Sequence, residues 1–348
     1  MVPATAASRT RIPPPPTVPA AGIPPAGLPP GCWRSLRRAG LAPVLAALLL
    51  LTACTPANRR ATAPVADPGP AAPRPSGGIL VLSSVPPLTL FSQAIAAGCG
   101  RVEPLVTGAG DGHDLHATPA DLARLRRARV LVVNGLGLEH ELDSMLRAAS
   151  NPQLQVITSS DGVIPARHNG LADPHIWLDP RRSRDQARTI AAGLVAADPG
   201  CASRYRANAG ALDRRLEALD RELAGQLAPW RGAILGTPHA FATSFADRYG
   251  LRTEAAVRTP EERPTPEDLR RVMARLQGPG PRALLVEPGQ EGGALAGVAR
   301  DLGLRPTPFD PMETGLVPAP GPAPEEPWAT TLRRNTASLI EALRASSR

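Results

Sequence analysis

Four side chains fall where a strand gives way to a helix or turn: His113, His175, His239 and Asp310. A lone histidine at such a junction more often caps a helix or fills a core than binds a ligand. Here three of the chain's six histidines share the placement, and a carboxylate joins them. Three imidazoles and one carboxylate make a tetrahedral nitrogen-rich set that suits Zn²⁺. An imidazole nitrogen binds metal only without its proton, so uptake should weaken as pH falls towards the ordinary histidine range. The remaining histidines read differently. His140 sits beside acids on a helix and has no second histidine four residues on, which excludes a zinc-protease helix. His168 lies in a Gly/Asn loop, and His116 in the Gly-rich loop of His113 reads as an exposed loop histidine or an accessory capture ligand. Gly108 to Gly112 lacks the full dinucleotide spacing and carries Asp111 where phosphates would sit.

The elements that must carry these residues follow from local pattern. In Asp173-Pro-His-Ile-Trp-Leu-Asp-Pro180, Asp179 reads as an N-cap, Pro180 as the first helical residue, and a helix runs to Ala197. Asp179 is also a candidate to orient the His175 ring. Apolar runs at 79–84, 102–106, 129–134 and 154–158 read as strands, with helices over 88–97, 119–128 and 139–149 between them. That alternation predicts an α/β fold with a parallel, doubly wound sheet, whose ligands bind beyond the carboxyl ends of the strands. A leucine periodicity spans 201–227, about 40 Å of helix, and fits either a spine between two lobes or a long surface helix. A second βα lobe follows, with strands at 233–237, 253–257, 283–287 and 305–309 and a last helix at 330–345. Glu287 ends one of these strands and could reach a cleft.

The amino terminus is a different kind of sequence. Residues 1–33 are Pro- and Ala-rich and lack the apolar content for a core. Residues 34–53 carry Arg34, Arg37 and Arg38, then an apolar run too short to span a bilayer stably, which describes a secretory signal. Translation starting nearer Trp33 would give that signal an ordinary length. Leu51-Thr-Ala-Cys54 resembles a lipobox, so Cys54 is expected as the lipidated first residue of the mature chain, with 54–77 a flexible tether. The formal charge of +8 falls to +3 once the five arginines before Cys54 are set aside, too mild to argue for nucleic acid. Cys99 and Cys201 remain; outside the cytoplasm such a pair is allowed to oxidise, and spacing alone leaves their pairing open.

Five ordered stretches resemble one family. They are Gly110-Asp-Gly-His113 through Asp121, Val130 through Glu139, Asp173 through Pro180, Pro238-His239-Ala-Phe with Tyr249-Gly-Leu251, and Phe309-Asp310-Pro-Met312. Together they make the chain similar to the metal-binding solute-binding proteins of bacterial ABC importers, the ZnuA/TroA-like zinc/manganese cluster A-I. The resemblance implies two βα lobes (78–200 and 229–348) bridged by one long helix (201–228), with the metal in the cleft between them. It carries over His113, His175, His239 and Asp310 as ligands. It implies extracytoplasmic capture of Zn²⁺ and delivery to an ABC permease and its ATPase, by a monomer fixed to the membrane through its lipid anchor, with a zinc chaperone as a candidate donor. Manganese-type members tend to place Glu where His239 stands, so Mn²⁺ or Fe²⁺ is the second choice of cargo. Leu115 and His116 depart from the family's usual aromatic and Glu, and a His-rich collecting loop before His175 is absent or rudimentary. The reading needs no nucleophile and no enzyme. The competing classes are a secreted zinc hydrolase with Asp310 as base, and an adhesin that holds zinc for structure.

Overall fold

A computed structural model describes residues 78–105, 118–315 and 317–347. The expectations for residues 1–77, Cys54 included, and for His113 and His116 lie outside the described residues. The first sheet holds β1 (Ile79–Ser83), β2 (Gly100–Pro104), β3 (Val130–Val133) and β4 (Gln155–Thr158), all parallel, in the order β2-β1-β3-β4. Helices α1 (Pro86–Ala96), α2 (Pro119–Leu125) and α3 (Leu142–Ala149) connect them. A two-stranded hairpin, β5 (Arg167–His168) with β6 (Leu171–Ala172), then leads to α4 (Pro180–Ala197) and α5 (Ala202–Leu227). The second sheet holds β7 (Ile234–Thr237), β8 (Arg252–Ala255), β9 (Arg282–Val286) and β10 (Pro306–Pro308), parallel in the order β10-β9-β7-β8. Its helices are α6 (Thr243–Tyr249), α7 (Pro266–Leu276), α8 (Ala296–Leu302) and α9 (Glu326–Ser346).

The apolar runs explain the layering. A central parallel strand is covered on both faces and so reads as continuous Val/Leu, as in Val130-Leu-Val-Val133, buried throughout. Leu82, Leu131 and Val133 face one way and pack with Leu125 and Met145 of α2 and α3. Leu284 of β9 packs with Val272, Leu276 and Val298 of α7 and α8 in the same manner. The opposite faces of both sheets share one continuous core with α1, α4, α5, α6 and α9. Each lobe therefore has a private outer core, and the inner core belongs to both. Helix α5 carries the stripe Leu212, Leu216, Leu219, Leu223 and Leu227, none more than 2% exposed, and packs on α1, α4 and α9. Its 26 residues span about 39 Å at the helical rise. It is the spine, not a surface helix.

Several boundaries shift for identifiable reasons. α1 starts at Pro86 rather than 88 because Pro86 and Pro87 fit its first turn, where a missing N–H costs nothing. α9 starts at Glu326 rather than 330 because Pro327 fits its first turn in the same way. α3 starts at Leu142 rather than 139, since Glu139 is committed elsewhere: its carboxylate accepts from the N–H groups of Asn134 and Gly135 and from Ser84 Oγ. Thr118 caps α2 in a reciprocal box with Asp121. Cys99 and Cys201 are joined in a disulfide with Cα atoms 6.1 Å apart. No described helix is long and apolar enough to cross a membrane.

Candidate metal centre

His175 enters the site from the first lobe. Pro174 keeps its predecessor extended, and a short 3₁₀ turn, Ile176–Leu178, leads into α4. The Asn134 side chain, at the carboxyl end of β3, donates to Pro174 O at 2.9 Å, and Gln186 of α4 donates to Asn134 Oδ1 at 3.0 Å. The preceding peptide is therefore held from two elements. His239 enters from the second lobe. It follows β7 after Pro238, extended at φ −128° and ψ 177°, before the turn into α6. The third group is Glu313, on the loop after β10. Met312 there has φ +61°, a left-handed conformation that turns the chain back and presents the next side chain.

Among the described residues, His175, His239 and Glu313 form the one group of metal-capable side chains whose ligand atoms lie within 4.8 Å of one another. All three residues are buried: 2%, 2% and 4% exposed. The two imidazole rings are 5.7 Å apart, centre to centre. Each ring has a carboxylate at its Nδ1. Asp173 Oδ1 lies 2.7 Å from Nδ1 of His175, and Glu287 Oε1 lies 3.5 Å from Nδ1 of His239. Nε2 of His175 faces the Glu313 carboxylate, so the inward nitrogen is the one not committed to Asp173. Burial alone pushes the His175 imidazolium down. The Glu313 and Asp173 carboxylates outweigh it and lift the group to about 10.

Two sequence expectations are corrected here. Asp310 does not join the group. Its Oδ1 accepts from the Met312 N–H at 2.8 Å, and its Oδ2 lies 3.4 Å from Arg334. Its peptide is also pinned by Asn335, which accepts from Asp310 N–H and donates to Asp310 O. Asp310 thus shapes the turn that delivers Glu313, three residues on. The sequence signal for Glu313 is its place in the same Asp-Pro-Met-Glu-Thr-Gly turn, but the left-handed Met312 that selects it over Asp310 is not visible in a residue pattern. Asp179 does not orient His175 either. Its Oδ1 accepts from Arg181 N–H as the α4 cap, and its Oδ2 pairs with Arg182 at 2.7 Å. Asp173, two residues before His175, holds the ring instead. Glu287, part-exposed at the end of β9, lies beside the His239 ring. His168 lies on β5 of the hairpin, its ring 3.2 Å from Asn169 Nδ2, outside the converging group. Trp177 packs between the lobes: its Nε1–H donates to Pro311 O at 2.7 Å, and its carbonyl accepts from Trp328 Nε1 at 3.1 Å.

A family model described as "Zinc-uptake complex component A periplasmic" (ZnuA) matches residues 81–342. The chain belongs to this family. That range contains the second sheet, all of the first but the first two residues of β1, the spine and the converging group. Among relatives, the chain is 28% identical over 167 residues to the iron-binding protein YfeA of Yersinia pestis, a match that covers 47% of this chain and about half (54%) of that relative. It is 23% identical over 308 residues to the high-affinity zinc uptake system protein ZnuA of Brucella abortus, covering 75% and 90% of the two chains. A crystal structure of ZnuA superposes with a TM-score of 0.66 at 27% identity, covering 76% of this chain and 99% of that one. The ZnuA-family fold is the two-lobe solute-binding fold described above, and the family is one of extracytoplasmic binding components, not enzymes.

Proposed function

We propose that this ZnuA-family chain captures Zn²⁺ outside the cytoplasm and hands it to an ABC permease driven by its ATPase, with His113, His175, His239 and Glu313 as ligands. The observation that carries the reading is the buried meeting of two imidazoles and one carboxylate drawn from both lobes. His113 follows β2 in the sequence and is the proposed fourth ligand. Three imidazoles and one carboxylate favour Zn²⁺ over Mn²⁺, which prefers more oxygen. A relative named for zinc uptake agrees; one named for iron binding makes Fe²⁺, with Mn²⁺, the alternative cargo. Four protein ligands would leave no position for a reactive water, which suits holding and release over hydrolysis. Cys54 is the proposed lipid anchor, 54–77 the tether, 78–200 and 229–348 the lobes and 201–228 the bridge, in a monomer.

Chelator competition tests this. The protein should bind one Zn²⁺ per chain and bind it far more tightly than Mn²⁺. His239→Ala should weaken zinc by more than the roughly 10–100-fold that loss of an outer-sphere partner costs. Equal affinity for the two metals, or unchanged zinc binding in His239→Ala, would contradict the reading.

A further inference from the structure

The Asp173 side chain makes four hydrogen bonds, and they divide between the lobes. On the first-lobe side, Oδ1 accepts from the His175 backbone N–H at 3.0 Å and faces Nδ1 of the same residue at 2.7 Å. On the second-lobe side, Oδ2 accepts from Ser244 N–H at 2.7 Å and from Ser244 Oγ–H at 2.6 Å. Ser244 is the second residue of α6, the helix that His239 leads into. The Asp173 side chain is fully buried and Ser244 is fully buried beside it. A buried carboxylate is stable only with its oxygens satisfied, and here each lobe satisfies one of them. If α6 withdraws, Oδ2 loses both donors at once. The carboxylate must then rotate or take on water, and Oδ1 cannot keep its paired bonds to His175. Ring orientation in the first lobe thus depends on the position of a helix in the second.

We propose that Asp173 is a positioning residue that couples lobe apposition to the aim of His175, so that movement of α6 weakens the grip on the metal. Glu287 differs in kind. It is part-exposed, lies 3.5 Å from its histidine, and comes from the same lobe. It orients His239 without reporting on the other lobe. The inference rests on His175 being a ligand, as proposed above.

The experiment compares zinc affinity and chelator-triggered release in the wild type, Asp173→Asn, Ser244→Ala and His175→Ala. Imidazole ¹⁵N spectra of the zinc-loaded proteins report which ring nitrogen carries the proton. Asp173→Asn should lose about 10–100-fold in affinity, the usual effect of removing an outer partner of a ligating histidine, and should lose the deshielded Nδ1–H signal. Ser244→Ala removes only the cross-lobe hydroxyl. It should keep that signal and release zinc roughly 2- to 13-fold faster, the loss of a bond worth roughly 0.5–1.5 kcal/mol. If Asp173→Asn does not fold, Ser244→Ala decides alone. Zinc release unchanged in Ser244→Ala, or affinity unchanged in a folded Asp173→Asn, overturns the proposal while His175→Ala still loses zinc. If His175→Ala binds zinc like the wild type, the ligand assignment itself has failed.

Discussion

At the scale of the residue, the chemistry of the centre is a contest between a proton and a cation. His175 faces Glu313 through one nitrogen and Asp173 through the other. These carboxylates hold its proton up to a pKa of about 10, against the opposing effect of burial. A cation bound to Nε2 must displace that proton. At neutral pH, zinc binding should therefore release about one proton from this group, and the affinity should rise about tenfold per pH unit until the pH nears 10. Calorimetry in buffers of different ionisation enthalpy checks the proton count; none released would contradict it. Linkage gives the matching sign for stability. The folded value lies above the ordinary 6.5, so the stabilisation is complete below 6.5 and is lost as pH rises towards about 10. Chelated protein should show a falling denaturant midpoint across that window. His175 and His239 were legible in sequence because proline-flanked junctions announce themselves. Glu313 was not, because its delivery depends on a left-handed Met312 and on hydrogen bonds from α9, which no local pattern encodes. Sequence does not separate Asp173 from Asp179 for a related reason. Both flank the histidine, and only the fold decides which carboxylate turns inward.

At the scale of elements, composition and periodicity went further. The four-strand alternation in each lobe, the capped α2 and α7, and the long α5 follow from apolar runs, Thr-Pro caps and leucine spacing. Strand order does not, since pairing between distant segments leaves no local trace; the β5–β6 hairpin does leave one, the Asn169-Gly170 pair whose left-handed backbone closes it. The disulfide is a case where sequence supplied the partners and the structure supplied the distance. It links the start of β2 to the turn before α5, at the amino ends of the strands, opposite the edge that carries His175. Its bridge spans 102 residues, long enough that its loss should cost about 2–5 kcal/mol of stability. Cys99→Ser with Cys201→Ser should lower the urea midpoint accordingly and leave zinc affinity within about threefold, since bond and site occupy opposite ends of the sheet. A large loss of affinity at unchanged stability would show that the bridge acts on the site.

At the scale of the molecule, the centre exists because two lobes meet over one core. Trp177 is fully buried between them, donating to Pro311 on the loop that carries Glu313 and accepting from Trp328 of α9. Phe91 of α1 stacks edge-on against the same Trp328, 5.1 Å between centres. The aromatic seam fixes where the β10–α9 loop lies, and so whether Asp310 or Glu313 faces His175. That choice is the central claim, and zinc affinity by chelator competition in Glu313→Ala and Asp310→Ala tests it directly. Glu313→Ala should lose more than about 100-fold, beyond the usual effect of an outer-sphere partner, while Asp310→Ala stays within the roughly 10–100-fold range of a residue that shapes the loop. The reverse order, with Asp310→Ala abolishing zinc binding and Glu313→Ala retaining it, would contradict the account.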